Sequence, residues 1–270
     1  MMTLHRHALY PVFAALAALA VIHALEAARL AAGAAEMQSL QGSARLAWAA
    51  ALEKLSLSWY AGARDLVAAY ARLADGAAAA ARDASRFALG AALAGCIHLG
   101  IVLGSARQRP RILAWHLNLL AAGAFVAGIL APVLTVVARA EVPLLGDVIL
   151  RYSSKSILST VTDLAAGGNL PLALVITTFS VILPIVKVVL LALVLAPAAA
   201  LLRTRGLALL QAIGKWTMVD VLVVAILVSV LALEKDPQSQ AEVGLGLYFF
   251  LAYCLLTLWA TQLAGRAESP

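Results

Sequence analysis

The chain has 270 residues, of which 63% are apolar and 13% charged, and its formal net charge is +6. Soluble domains are typically about 45–50% apolar and about 25% charged, so the composition excludes an ordinary soluble protein and predicts an integral membrane protein. The positive charge does not indicate a nucleic-acid partner, because the basic residues cluster beside apolar runs, where they set membrane topology.

Six apolar segments are long enough to cross the hydrocarbon core of a bilayer, which takes about 20 residues. Their approximate ranges are 8–28, 87–104, 112–137, 171–198, 217–233 and 243–263. The first also resembles a signal peptide, with Arg6 before an alanine-rich core, and we expect it to be a retained span. The predicted fold is an all-α integral membrane protein. Its predicted domains are a first span (1–28), a periplasmic helical segment (29–86), a second span (87–104) and a four-helix transmembrane module (112–265).

The segment 29–86 is alanine-rich, contains no proline and alternates acidic with basic residues. Apolar residues recur in it at helical spacing, which predicts one long helix or a helical hairpin outside the membrane. Such a unit is either a solvated, self-packed hairpin, a docking surface for a partner, or an interfacial helix.

The distribution of basic residues predicts that both chain termini are cytoplasmic. Two connections between spans carry arginine or lysine without any acidic residue, whereas the connections 138–170 and 234–242 are balanced or acidic. The basic residues are Arg107, Arg109 and Arg111 in the first connection and Arg203, Arg205 and Lys215 in the second. We therefore expect a multi-pass protein of a bacterial inner membrane, with 138–170 and 234–242 on the periplasmic side.

Two opposite charges interrupt the apolar sequence of consecutive spans, at Lys187 and Asp220. A charged side chain at the middle of a spanning helix costs roughly 2.5–3.5 kcal/mol on insertion scales, and such residues usually face a bundle interior and often pair. We interpret the two as a transport or proton-coupling pair. The alternatives are a structural ion pair or a lysine whose stem reaches the membrane surface.

Further polar residues fall at the same predicted depth. At about 1.5 Å rise per residue, Asn118 and Thr257 lie in the layer of Lys187 and Asp220, in the cytoplasmic half of the bundle. Each of the four comes from a different span, so a shared polar cluster is predicted. His98 and His116 are left out of this site, because a lone histidine near a helix end is more often an ordinary hydrogen-bonded residue.

Pro184 precedes Lys187 by three residues. Its ring clashes with the carbonyl of Ser180, which predicts a helix kink and a freed carbonyl that Thr177 or Thr178 is near enough to satisfy. A kink that serves only packing is the alternative.

Between the predicted spans 112–137 and 171–198, residues 153–169 predict a short amphipathic helix that ends at Gly167. This helix either forms the floor of a lipid-accessible pocket or packs against the bundle as a lid.

From about residue 112 onward, the chain resembles the paraquat-inducible protein A family of bacterial inner-membrane proteins. The resemblance rests on Ala131-Pro-Val-Leu-Thr-Val136, on Ser180 to Leu193 with its Pro184-x-x-Lys187, and above all on Gly214-Lys-Trp-Thr-Met-Val-Asp-Val221. The family usually has Trp-Ser-Met-x-Asp-Val there, so Lys215, Trp216 and Met218 are motif residues. The last span, Gly246 to Ala260, follows the same pattern.

The resemblance implies a role in moving lipid between the inner and outer membranes, beside a periplasmic protein with mammalian-cell-entry domains. The membrane subunit would load lipid into its partner or extract it, with the proton gradient as a possible energy source. Many family members carry two four-helix modules and cysteine-rich zinc ribbons. This chain has one module, and residues 1–104 look unlike the family.

Other functional classes are weaker. The sequence contains no P-loop, GxSxG or HExxH motif, and Cys96 and Cys254 form no metal-ligand spacing, so no enzyme activity, metal or cofactor is predicted. A membrane anchor or assembly protein with a structural ion pair is one alternative to lipid transport, and a stand-alone transporter of small solutes or ions is another.

Overall fold

The computed structural model describes residues 9–56, 61–106, 110–143, 145–196 and 239–266, together with 206, 209, 210 and 212. In these ranges, five helical stretches are long and apolar enough to span a membrane. They are Leu9–Met37, Gly62–Gly104, Pro110–Leu130, Leu170–Leu195 and Leu245–Arg266. The helical membrane fold is thereby confirmed, and five of the six predicted spans correspond to these helices. The other predicted span, 217–233, lies outside the described residues.

The amino-terminal part is built on two antiparallel helices, α1 (Leu9–Met37) and α3 (Gly62–Ala106). Small residues line their contact, and glycines of each helix face leucines of the other, as at Gly33 with Leu73 and Gly76 with Leu30. Small side chains let helix backbones approach closely. With 45 residues, α3 is roughly 67 Å long, about twice the hydrocarbon thickness of about 30 Å. The predicted span 87–104 is therefore one part of a longer continuous helix.

Helix α2 (Leu40–Leu55) continues the chain beyond the end of α1. The Ser39 side chain caps its first turn by accepting from the Gly42 backbone N–H, and Glu53 near its end pairs with Arg64 Nε of α3 at 2.5 Å. Residues 29–86, predicted as one long helix or a hairpin, thus consist of the end of α1, α2 and the first half of α3.

The chain also forms a three-stranded antiparallel sheet, which the sequence did not predict. Its first two strands follow α4 (Pro110–Leu130). Its strands are β1 (Leu134–Val142), β2 (Gly146–Lys155) and β3 (Ser239–Val243), in the order β2-β1-β3. Helix α4 ends seven residues before the predicted end of its span at 137, so that boundary was wrong. Pro132 is the physical reason, because the residue before a proline is disfavoured in the α conformation and the proline itself lacks an N–H.

Between β2 and β3 in the chain come α5 (Ile157–Ala166), α6 (Leu170–Thr177), a π-helical segment (Thr178–Ile182) and α7 (Leu183–Leu195). The amphipathic helix predicted within 153–169 is confirmed as α5, although 153–155 belong to β2. A reciprocal capping box of Ser156 and Ser159 begins it, and Gly167 caps its end. Ile157 packs against the bundle core, which is consistent with a packing role for this helix.

Helix α8 (Leu245–Arg266) packs closely against α4. A Cβ atom at Gly128 would lie 2.8 Å from the Phe250 backbone nitrogen, so only glycine permits this approach. Within the part of the chain that the structure describes, the buried apolar residues form two clusters. The sheet-side cluster includes Phe13, Phe125, Phe250 and Tyr253, and the second cluster, towards the start of α4, includes Leu113, Leu117, Leu191 and Ala260.

Candidate functional site

Lys187 is a buried lysine in the first turns of α7, with 2% of its surface exposed. Its position is dictated by helical periodicity, because Leu191 and Val194 follow on the same face and belong to the second cluster. A charged group at this depth is expensive in a membrane and marks a functional position by default. The predicted partner Asp220 and the motif residues Lys215, Trp216 and Met218 lie outside the described residues.

Asn118 connects α4 to the helix that carries Lys187. Its Nδ2 donates to the backbone carbonyl of Val188 at 3.1 Å, and the side chain is 3% exposed. Its Oδ1 is a buried acceptor without a hydrogen-bond partner among the described residues. Because unsatisfied buried acceptors are rare, this atom is a suitable place to receive a proton donor.

Thr257 is fully buried in α8 and lies one helical turn before Ala260 of the second cluster. Its hydroxyl donates to the carbonyls of Tyr253 and Cys254 in its own helix, at 3.0 and 3.1 Å. Asn118 and Lys187 lie within one turn of Leu117 and Leu191 of that same cluster. The three predicted residues within the described ranges are therefore each buried within one helical turn of the second cluster, and their membership of one shared site stays a prediction.

The predicted irregularity before Lys187 takes the form of a π-helical segment. The Leu183 N–H donates to the carbonyl of Thr178, five residues earlier, and Pro184 follows within the first turn of α7. Thr177 and Thr178 donate their hydroxyls to Ala173 and Leu174, not to the Ser180 carbonyl that we expected them to satisfy. π-segments of one turn are frequent at functional sites, and this one ends five residues before the buried lysine.

Arg111, predicted only as a topology signal, also holds α4 to the end of α7. Its guanidinium donates to the carbonyls of Leu195 and Ala196 at 2.8 to 3.1 Å. These are carbonyls at a helix end, which have no partner within their own helix. Arg111 therefore fixes α4 against α7 some five turns from the sheet.

A second polar group, which sequence reasoning set aside, joins α3 to α4. His98 Nε2 and His116 Nδ1 lie 3.1 Å apart, and both rings are at most 4% exposed. A sequence signal for this contact was available. Each histidine is nine residues from position 107, in the connection between two helices, so an antiparallel arrangement of the helices brings the two histidines to the same level. One ring must donate and the other accept, so a proton added to the accepting nitrogen would break this hydrogen bond.

The comparisons with known proteins point to one family. The family model of paraquat-inducible protein A matches residues 142–267, from the end of β1 through α8. The resemblance predicted from sequence is confirmed over this range, whereas the segment 131–136, which we also assigned to it, lies before the match. No curated protein and no solved structure matches the chain. The match and the apolar helices are consistent with a membrane transport role.

Proposed function

We propose that this chain, similar to paraquat-inducible protein A over residues 142–267, is the inner-membrane subunit of an intermembrane lipid-transport system. It loads lipid into, or extracts lipid from, a periplasmic partner with mammalian-cell-entry domains. The observation that carries the proposal is the buried Lys187 beside a π-helical segment, inside the part of the chain that the family model matches.

The coupling step assigned to the site is a change of protonation. Lys187 and Asp220 would form an ion pair in one state, and transfer of a proton from the lysine ammonium to the aspartate carboxylate would leave two neutral groups in the other. Neutralisation is favourable inside a bilayer because a buried charge without a partner shifts its pKa. Asn118 Oδ1 offers an acceptor next to α7, and Thr257 contributes a further hydroxyl oxygen at that level.

The π-helical segment gives the protonation change a way to move the helix. A π-segment holds one extra residue per turn, and its conversion to α-helix rotates everything on one side of it by about 100° relative to the other. Such a rotation would turn Lys187 relative to α6. Discrete alternatives of this kind are what an energy-coupled cycle requires.

The proposal is tested by outer-membrane barrier function in cells that lack the chromosomal gene. Wild-type chain should restore resistance to detergent, and Lys187→Met should not, at equal membrane levels of the two proteins. Lys155→Met is the matched control, because that lysine lies in β2, outside the spans, and pairs with Asp163. Full restoration by Lys187→Met would contradict the proposal.

A further inference from the structure

A cavity of about 370 Å³ lies between the amino-terminal helices and the three-stranded sheet. Seven alanines of α1 and α3 form one wall, and the sheet forms the other. Pro132 and Leu245 line its floor, at the points where α4 ends and α8 begins. Since both helices are candidate spans, the cavity lies where the chain leaves the hydrocarbon core on the sheet side of the membrane.

The two walls differ in polarity. The helix wall is mostly apolar and its side chains are short, because it consists of these alanines and Ser85, whose hydroxyl donates to the Ala81 carbonyl of its own helix. On the sheet wall, the hydroxyls of Thr135 and Ser154 are 3.0 Å apart. Tyr152 precedes Ser154 by two residues on β2 and also lines the cavity. Glu242 on β3 pairs directly with Thr135. Among the described residues that line the cavity, Glu242 is the charged one, and none is lysine, arginine or histidine.

The negative charge of Glu242 acts on Tyr152, which also lines the cavity. Burial raises the pKa of the Tyr152 phenol, the nearby Glu242 carboxylate raises it further, and a hydrogen bond with Ser154 opposes them. A cation placed between the carboxylate and the face of the Tyr152 ring would be attracted by both. An anionic or neutral headgroup in the place of that cation would lack this attraction, because Glu242 is negative and the described lining residues include no basic side chain.

We propose that this cavity binds a phospholipid with a primary ammonium headgroup, with the ammonium between Glu242 and the Tyr152 ring and an acyl chain along the alanine wall. The volume is within the range of about 300–1,000 Å³ of ligand pockets, so it holds the headgroup and the first part of a chain, the rest extending into the bilayer. The site rests on the proposed lipid-transport function and gives it a headgroup preference.

The test uses the full-length protein purified in mild detergent and mixed with equimolar phosphatidylethanolamine and phosphatidylglycerol. Native mass spectrometry then measures the retained lipids. Wild-type protein should retain phosphatidylethanolamine over phosphatidylglycerol by roughly tenfold, and Glu242→Gln should bring the ratio near one, a change of about 1.4 kcal/mol. Glu141→Gln is the matched control, since Glu141 is exposed on β1 outside the cavity.

A second pair of variants tests the alanine wall. Ala81→Leu fills the cavity and should lower the total lipid retained several-fold, whereas Ala78→Leu, on an exposed position of the same helix outside the cavity, should not. Glycerophosphoethanolamine, which has the headgroup without chains, should fail to displace the lipid. Displacement at equal concentration would mean that a soluble amine is the ligand, and would overturn the assignment.

An equal retention of both lipids by wild-type protein, or an unchanged ratio in Glu242→Gln, would also overturn it. These outcomes are separable from failure of the proposed function. If the ratio does not change while Lys187→Met still abolishes barrier function in cells, the cavity assignment is wrong and the transport proposal stands. If Lys187→Met restores barrier function, the transport proposal fails whatever the lipid ratio.

Discussion

Lys187 is an ionisable residue at a position where an aliphatic side chain would pack equally well. It is surrounded in sequence by aliphatic residues, and its side chain is almost fully buried. Replacement of a buried ion pair by apolar residues of similar size is often neutral or stabilising, whereas removal of one partner leaves the other buried and unpaired. The pair predicted for Lys187 and Asp220 can therefore be tested for a structural and a functional role separately.

The double variant Lys187→Met with Asp220→Leu should insert, fold and be at least as stable as wild type, yet fail to support transport. The physical reason is that two apolar side chains need no mutual neutralisation, while a proton-coupled step needs groups that titrate. Lys187→Met alone should be destabilised by up to about 3–5 kcal/mol if Asp220 stays ionised. Thermal unfolding in detergent gives the stabilities, and the barrier assay gives function. A stable double variant with wild-type barrier function would mean that the pair is only structural.

Tyr152 provides a pH test outside the membrane-spanning helices. Its pKa in the folded protein is raised above the ordinary value of 10.0 by burial and by Glu242. Because the folded state then holds the phenolic proton more tightly than the unfolded state, the stabilisation is fully present below pH 10 and is lost as pH rises through the folded pKa. The free energy of unfolding of wild type should therefore fall as the pH rises above 10.0, the ordinary pKa of tyrosine.

The Tyr152→Phe variant should lose less stability over that pH interval than wild type. Thermal unfolding at successive pH values measures the difference, and Tyr248→Phe, at an exposed tyrosine of α8, is the control that should behave as wild type. Equal pH dependence of wild type and Tyr152→Phe would show that burial and the Glu242 charge do not raise the pKa of this phenol.

The helix from Leu170 to Leu195 owes its irregularity to a single proline. Pro184 has no N–H to donate to Ser180, and the chain responds with a π-segment instead of a broken helix. If the segment is part of the working cycle, its regularisation should affect transport more than stability.

Pro184→Ala should therefore restore a backbone donor and favour continuous α-helix through 178–182. We expect unchanged or slightly higher thermal stability with reduced barrier function, since the element would lose one of its two arrangements. Pro171→Ala, at the start of α6, is the control because a proline in the first turn removes no helical hydrogen bond. Reduced function in the control to the same extent would assign the effect to packing.

Among the secondary-structure elements, the three-stranded sheet is the one that the sequence did not predict. The apolar run that includes α4 continues without a charge through Val137, so hydropathy extended the helix into β1. Pro132 was the available signal against it. β3 pairs with β1 across more than 90 residues, and no local pattern announces such a pairing. The capping residues of α5, by contrast, are local, and that helix was predicted.

At the level of the whole molecule, α2 packs against the first half of α3 and against β2 of the sheet. Trp48 and Leu55 are 71% and 81% exposed there, while Tyr70 is held by a hydrogen bond from Gln38 Nε2 at 2.8 Å. Of the four aromatic residues in 29–86, Trp48 is thus the exposed one within the described residues. Trp59 and Tyr60 lie outside them.

Removal of residues 39–69 with a short glycine-serine linker should leave the spans folded and abolish binding of the periplasmic partner. The cut is tolerable because the Gln38 and Tyr70 side chains are in hydrogen-bond contact, so their helices are already adjacent. Trp48→Ala with Leu55→Ala should weaken binding in the intact hairpin. Co-purification measures both, and undiminished recovery of the partner with the shortened chain would reduce the hairpin to a spacer.

The candidate site was predictable to the extent that it depends on hydropathy. Hydropathy predicted that a lysine, an asparagine and a threonine in apolar sequence would be buried, and each of Lys187, Asn118 and Thr257 is. The His98–His116 pair depends on which faces of α3 and α4 meet, and the cavity depends on a sheet formed by distant strands. The equal spacing of the two histidines about position 107 was a signal for the pair, but its contact and the cavity are both set by packing between elements, which a single sequence does not give.

The most direct test of the central claim is purification of the full-length chain from native bacterial membranes after mild cross-linking, with identification of its bound proteins and lipids. The account predicts recovery of a periplasmic protein with mammalian-cell-entry domains together with phospholipid, at levels reduced in the chain that lacks residues 39–69. Recovery of well-folded protein with neither such a partner nor bound phospholipid would contradict a role in lipid transport.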